Sequence, residues 1–362
     1  MPDWTKPMSQ TFKYYVVDPG TWKDKTRLTT IKTCTIERDS SADTLGSASI
    51  ELTDNNNEFS NIVGRNRECY VRVYLVTGQN GISEKFPLGT FLIQSTSTSF
   101  DGMVKTTPIE AYTPLLEMKD VPPPIGYSIL KGANIMTNAY RIVREQTRAP
   151  VVEPTCSETL YSDFVAEESD TWLSYTKDLV ANAKYELGLD ELSRILFLPV
   201  QDTASLQPVT TFDDDNSSIL YPEISTSHDL YGIPNVVEVV YSKNNENYSA
   251  RVVNDDPNSP ISVQNRGREI VYRETNTDFA GTPTNLQIQK YAEGLLKSKS
   301  SVEFTVSYSH GYCPVRVGDC VRLNYERAGI VNVKAKVISQ SISCTPGCKV
   351  TEKAVYTERF WG

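Results

Sequence analysis

Histidine is scarce: the 362 residues contain only His228 and His310, which removes most acid–base and imidazole-ligand chemistry near neutral pH. Basic charge is short as well. Lys and Arg number 36 against 45 Asp and Glu, a formal net charge of −9, so counterion release from a basic face cannot dominate affinity for nucleic acid. Sequence-specific nucleic-acid binding is therefore disfavoured. No apolar run approaches the roughly 18 residues of a membrane span, and Met1-Pro-Asp-Trp-Thr-Lys-Pro-Met8 carries no apolar stretch of signal-peptide length. A soluble chain with no membrane insertion is the expectation. No His-Glu-x-x-His, Gly-x-Ser-x-Gly or phosphate-cradling glycine loop occurs, and no enzyme is expected. The seven cysteines are an odd set, which together with the missing secretion signal points to reduced thiols or ligands and away from a disulfide framework.

What is present is strand. Tyr14-Tyr-Val-Val17, Ile31 to Ile36, the alternating Ala48, Ile50 and Leu52, Tyr70 to Val76 and Phe91-Leu-Ile93 read as β. Turn chemistry separates them at Asp18-Pro-Gly20, Asp54 to Asn57, Gly78-Gln-Asn-Gly81 and Asp101-Gly102. After Asp120-Val-Pro-Pro-Pro124 the period changes: Ile135, Ala139, Ile142 and Val143 mark a helix that ends before Pro150. Asp170 is read as the N-cap of a second helix carrying Trp172, Tyr175, Leu179 and Ala183, followed by a strand at Arg194 to Pro199. Strands resume at Val236 to Tyr241 and Ser249 to Val253. A helix from Thr284 presents Ile288, Tyr291, Ala292 and Leu295, and Val302, Phe304, Val306 and Tyr308 alternate.

The last region repeats the grammar of the first. Gly46 to Leu52 answers Ser301 to Tyr308, and Cys69 to Leu75 answers Gly318 to Tyr325. Phe91 to Ser99 answers Ala335 to Ser343, and Val104 to Tyr112 answers Cys348 to Tyr356. The fold class is mainly β with an α+β insertion: two β-barrels, in residues 1–118 and 216–362, flank a helix-containing middle region, 119–215.

This plan resembles the baseplate hub, or tail-tip hub, family of bacteriophage tails. The residues that carry the likeness are Ser217 to Tyr241 with its Ile-Pro-Asn-Val-Val-Glu-Val-Val entry, Trp172 to Pro199, and Pro314-Val-Arg-Val-Gly-Asp319 before the late hairpins. The resemblance implies tail-tube-like barrels, and a homotrimer whose six barrels adapt a sixfold tail tube to a threefold spike or fibre. Its implied partners are the tail tube or distal tail protein, the spike or fibre protein and the tape-measure protein. It also implies assembly in the host cytoplasm, residence at the virion tail tip or baseplate, and an open channel for DNA during ejection. An acidic bore suits that passage, because like charge repels phosphate within a Debye length of about 8–10 Å. In this reading Ser217 to Pro234 is the extended crossing into the second barrel, stiffened by Pro222 and Pro234; an ordinary surface linker reads the same residues equally well. Competing functions are a tail-associated cell-wall hydrolase, a host-binding module or a hexameric distal-tail protein. The chain's end at Trp361-Gly362, with no domain added, is expected to argue against the hydrolase.

Four cysteines fall close together: Cys313, Cys320, Cys344 and Cys348. If Glu326 to Gly329 turns a hairpin, Cys313, Cys344 and Cys348 meet at one barrel end, while Cys320 needs the preceding loop to fold back. Such a soft thiolate set could hold zinc or an iron–sulfur cluster, which some tail-tip proteins similar to this family carry. The spacings match no standard knuckle, and isolated buried thiols are the competing reading. Asp213 to Asn216 reads as a solvated acidic turn and not a calcium loop, and Glu167, Glu168 and Asp170 read as helix-start acids and not paired catalytic carboxylates. A His310–Cys313 dyad would need an orienting third group that the sequence does not identify.

Overall fold

The computed structural model describes residues 2–55, 57–63, 68–215, 219–243, 246–275 and 283–361. The chain is mainly β with a helix-containing middle, as its alternations require. The first third holds β1 (Ser9–Asp18), β2 (Lys23–Leu28), β3 (Ile31–Asp39), β4 (Gly46–Thr53), helix α1 (Glu58–Val63), β5 (Tyr70–Gln79), β6 (Ile82–Thr96), β7 (Ser99–Phe100) and β8 (Lys105–Tyr112). The middle holds α2 (Leu116–Lys119), β9 (Ser128–Ile129), α3 (Ile135–Gln146), β10 (Phe164–Val165), α4 (Trp172–Ala181), β11 (Tyr185–Leu189), β12 (Ile195–Pro199) and β13 (Pro208–Asp213). Then follow β14 (Leu220–His228), β15 (Val236–Lys243), β16 (Glu246–Val253), α5 (Val263–Arg266), β17 (Val271–Thr275), α6 (Asn285–Lys299), β18 (Ser301–Gly311), β19 (Cys320–Tyr325), β20 (Ile330–Ser343) and β21 (Lys349–Arg359).

The chain divides into two compact units, Met1–Ile224 with Tyr308–Lys353, and Ser225–Ser307 with Ala354–Gly362. These do not coincide with the sequence divisions at 118/119 and 215/216. The reason lies in two pairings that local pattern does not encode. First, β3 is antiparallel to β20, with Ile36 opposite Ile342 and Arg38 opposite Gln340, so the first and last thirds share hydrogen bonds. Second, the core of the middle segment is not its own: Val17, Trp22, Tyr70 and Leu92 pack with Ile135, Ala139, Trp172, Tyr175 and Leu179.

The repetition read from the sequence returns as topology. The strand order β4–β8–β6–β5–β1 recurs as β18–β21–β20–β19–β13. The four strands of each set before the last are the segments matched in sequence. The sets differ at their ends, where β1 runs antiparallel to β5 and β13 runs parallel to β19. Turn chemistry sets the local register: β5 and β6 pair Gln79 with Ile82 across Asn80-Gly81, both with positive φ, the two-residue turn that matches strand twist. The β19–β20 hairpin closes through the short 3-10 turn Glu326–Ala328 and left-handed Gly329, φ 74°.

Trp22 joins the first strands to the middle segment. Its indole Nε1 donates to Leu192 O at 3.0 Å, its ring meets Tyr70 edge-on at 4.9 Å, and the buried Arg72 guanidinium donates to its carbonyl. Trp22→Ala removes all the ring contacts of a buried side chain and is expected to cost about 3–5 kcal/mol. A urea unfolding curve that shifts by less than about 1 kcal/mol would count against this joint.

The second unit is an α+β layer. β16 and β17 flank β15, antiparallel and parallel respectively, and α6 covers one face. Ile288, Ala292 and Leu296 of that helix pack against Val237, Val239, Tyr241, Ala250 and Val252. Thr284 caps α6 through a box with Gln287, so helical spacing located it correctly; Tyr291, expected inward, is 37% exposed. Among the described residues no helix is long and apolar enough to cross a membrane.

Candidate functional site: a sealed polar chain across four strands

The first unit buries a set of polar groups that strand alternation alone would fill with aliphatic side chains. On β18 the inward positions run Val302, Val306, Tyr308 and His310, and on β21 they run Val350, Glu352 and Ala354. Tyr308, His310 and Glu352 thus lie in one interior, each about 0–1% exposed.

Glu352 is the hub of this set. Tyr308 donates its hydroxyl to Oε2 at 2.5 Å and Gln340 donates its amide to Oε1 at 2.5 Å. His310 Nε2 stands 3.4 Å from Oε1, close enough for an ion pair but without an aligned hydrogen bond. On the other side of the ring, Nδ1 lies 2.6 Å from Gly311 O and 3.8 Å from Cys313 Sγ. Gln340 also donates to Val315 O at 2.8 Å and accepts from the Arg38 guanidinium at 3.0 Å, which donates in turn to Leu88 O. The chain of contacts therefore runs β3, β20, β21, β18, crossing the seam between the first and last thirds.

Electrostatics follow from the burial. Burial opposes charge on His310, but its contacts with Cys313 and with the Glu352 carboxylate prevail and raise it to about 10, leaving it charged at neutral pH. Burial drives the Tyr308 phenol well above its ordinary value, with the Glu352 charge adding to it. Burial also lowers the Arg38 guanidinium from its usual value, and its contacts are to neutral oxygens. A charged pair in such a place is held by geometry, and losing one partner strands the other.

Glu352 supplies the third group that the His310–Cys313 pair lacks in the sequence, giving a cysteine–imidazole–carboxylate sequence in space. Cys313 is 7% exposed, however, and none of the three lines either of two cavities at the surface of the described residues. One of those cavities, about 500 Å³, opens beside Trp4, Gln10, Tyr312 and Gly347. All three side chains are buried, and their contacts with one another tie β18, β21 and the turn after β18 together.

Of the candidate thiols, with Cys313, Cys344 and Cys348 expected to meet and Cys320 only if its loop folds back, Cys344 and Cys348 share one apolar cluster while Cys313 and Cys320 have other partners. Cys313 faces His310, and Cys320 donates to Val321 O at 3.8 Å. Cys344 lies opposite Cys34, its amide donating to Cys34 O at 3.0 Å, and Cys348 packs in the same cluster. The Cys34 contact and burial lift the Cys344 thiol well above its ordinary value, and burial lifts Cys348 to about 12. Among the described residues no three His, Cys, Asp or Glu side chains are placed to hold a metal ion. The hairpin folds as expected, but β3 rather than the loop before Cys320 delivers the extra thiol to Cys344.

The remaining expectations fall as follows. Thr171, not Asp170, caps α4, with Ser174 completing the box; Asp170 supports it by accepting from Ser174 Oγ. Asp213 accepts from Asn324 and Asp214 pairs with Arg327, while Asn216 lies outside the described residues. Of the stretch from Ser217, Ser217 and Ser218 are outside them too. Pro222 sits within β14, a strand at the end of the sheet order, where a missing amide donor is tolerated, and its carbonyl accepts from Tyr325 at 2.8 Å.

No protein-family model matches the chain, and no curated protein matches it in sequence. Solved structures do. The tail protein from Neisseria meningitidis MC58 superposes with a TM-score of 0.59 at 12% identity, over 96% of this chain and 97% of that one. The 43 kDa tail protein of prophage MuSo2 from Shewanella oneidensis gives 0.61 at 12%, over 96% and 98%. A chain of the lidded PdpA–VgrG complex of Francisella gives 0.57 at 8%, over 98% of this chain and 53% of that one. At these identities the likeness is one of fold: the chain has the fold of these tail and VgrG-complex proteins along nearly its whole length, in agreement with the family resemblance of its sequence.

Proposed function

We propose that this chain, with its tail-protein fold, is a structural hub of a phage tail tip or baseplate, or of a phage-like particle. The observation that carries the reading is the repeated strand order β4–β8–β6–β5–β1 and β18–β21–β20–β19–β13. A chain that presents one strand plan twice offers two similar surfaces per copy, and three copies in a cyclic ring offer six. That converts threefold into sixfold symmetry without a second gene product. The partners are then a tail tube or distal tail protein on the sixfold side, a spike or fibre protein on the threefold side, and the tape-measure protein within the bore. An acidic chain, net −9, lines a passage that phosphate does not adhere to. The burial of Cys313, His310 and Glu352 is in keeping with a structural part.

The test is native mass spectrometry of the purified chain joined to electron microscopy of assembled tail tips. Three copies in an open ring at the distal end of the tube are expected. Six copies would assign a distal-tail protein instead, and measurable lysis in a turbidity assay on purified cell walls would assign a hydrolase.

A further inference from the structure

Two of the buried thiols are brought together from opposite ends of the chain. Cys34 is on β3, and the register of β3 with β20 runs Ile36–Ile342, Thr35–Ser343, so the next pair is Cys34 and Cys344. The backbone confirms it, with Cys344 N donating to Cys34 O at 3.0 Å. Both side chains belong to the same apolar cluster, together with Tyr14, Ile50 and Val350, and so project to one face of the sheet. Directly opposed residues of an antiparallel pair have Cα atoms about 4.5–5.5 Å apart, inside the range of about 4.4–6.8 Å that a disulfide spans. Cys348 is the competitor, since it follows Cys344 across the turn at Thr345, whose carbonyl accepts from Cys348 N at 2.8 Å. Its position on the turn at φ 34° gives it no such register with either thiol.

We propose that Cys34 and Cys344 form a cross-strand disulfide when the folded protein meets a small oxidant such as hydrogen peroxide, stapling the first third of the chain to the last. The stoichiometry closes in two steps. One thiol takes an oxygen from peroxide to become a sulfenic acid, releasing water. The second thiol displaces hydroxide from that sulfur to form the S–S bond, and the thiol proton leaves with it as a second water. Burial, with Cys34 2% and Cys344 6% exposed, makes the first step slow and limits it to oxidants of water-like size. The product ties a loop of roughly 300 residues, the case in which a cross-link constrains the unfolded chain most. A chain folded in a reducing compartment would thus acquire the staple only after exposure to oxidising surroundings.

The experiment uses the wild-type, full-length chain. Folded protein is treated with millimolar peroxide over hours, remaining thiols are blocked, and peptides are mapped without reduction beside a reduced sample. The expected result is a peptide pair joined at Cys34 and Cys344, and an unfolding midpoint raised by about 5–10 °C that reverts on reduction. A Cys34→Ser variant is expected to lose both. Recovery of Cys344 joined to Cys348, or of Cys34 and Cys344 as free thiols after the half-exposed Cys156 has been consumed, would overturn the proposal.

Discussion

Glu352→Gln is expected to destabilise the first unit by about 3–5 kcal/mol, the cost of removing one member of a buried ion pair. The carboxylate receives Tyr308 and Gln340 and faces His310. The amide keeps the shape but leaves the imidazolium without its counter-charge in a fully buried position. Urea unfolding at neutral pH reads the loss directly. A control separates charge from packing: Glu352→Leu combined with His310→Phe and Tyr308→Phe removes the charges and the groups that need them together. That triple variant is expected to be more stable than the single one, since an apolar set of like volume replaces a buried pair at little cost. If Glu352→Gln unfolds at the wild-type urea concentration, the ion pair at the centre of the polar chain is wrong.

The second large effect is alkaline. His310 is raised from 6.5 in the unfolded chain to about 10 in the folded protein. Its contribution is therefore complete below about pH 6.5 and is lost as pH climbs through 10. With one pKa unit worth about 1.4 kcal/mol, stability between pH 7 and pH 10 is expected to fall by several kcal/mol. The loss continues above that as the unfolded chain ionises tyrosine and cysteine groups whose folded counterparts, Tyr308 and Cys344, are held protonated. Denaturation midpoints at stepped pH check this. His310→Phe should flatten the slope between pH 7 and pH 10, and a variant that keeps the wild-type slope would place the titration elsewhere.

Much of this molecule can be read from local pattern, because local pattern is where period and turn chemistry act. The helix spacing of Ile135, Ala139, Ile142 and Val143 located α3, and all four side chains are buried. The segment matches between the thirds anticipated the repeated strand order. What escaped was non-local. Nothing in Ile31–Asp39 announces a partner in Ile330–Ser343, since Arg38 and Gln340 are 302 positions apart and alternating strands fit many mates. The α+β layer of Ser225–Ser307 is indistinguishable by local pattern from part of a second barrel, because single strands do not reveal which sheet they join. Glu352 did leave a trace: it occupies the apolar phase between Val350 and Ala354, where a carboxylate has no reason to stand unless partners wait inside. Tyr308 and His310 share the inward phase of β18 with Val306, and aligning the two anomalies would have named the site. Among the cysteines, closeness in sequence pointed to Cys313, Cys344 and Cys348, whereas pairing across the sheet also sets Cys34 opposite Cys344.

The partnership of β3 with β20 also sets a timetable for biosynthesis. β3 emerges from the ribosome early, but the residues that hydrogen-bond to it, Ser339–Ser343, emerge roughly 300 codons later. At about 5–20 residues per second the edge carrying Cys34 and Ile36 stays bare for about 15–60 s, long enough for a second nascent chain on the same message to offer its own copy. A ribosome crowded with neighbours would favour mispaired strands, and slower initiation on this message should raise the yield of soluble product.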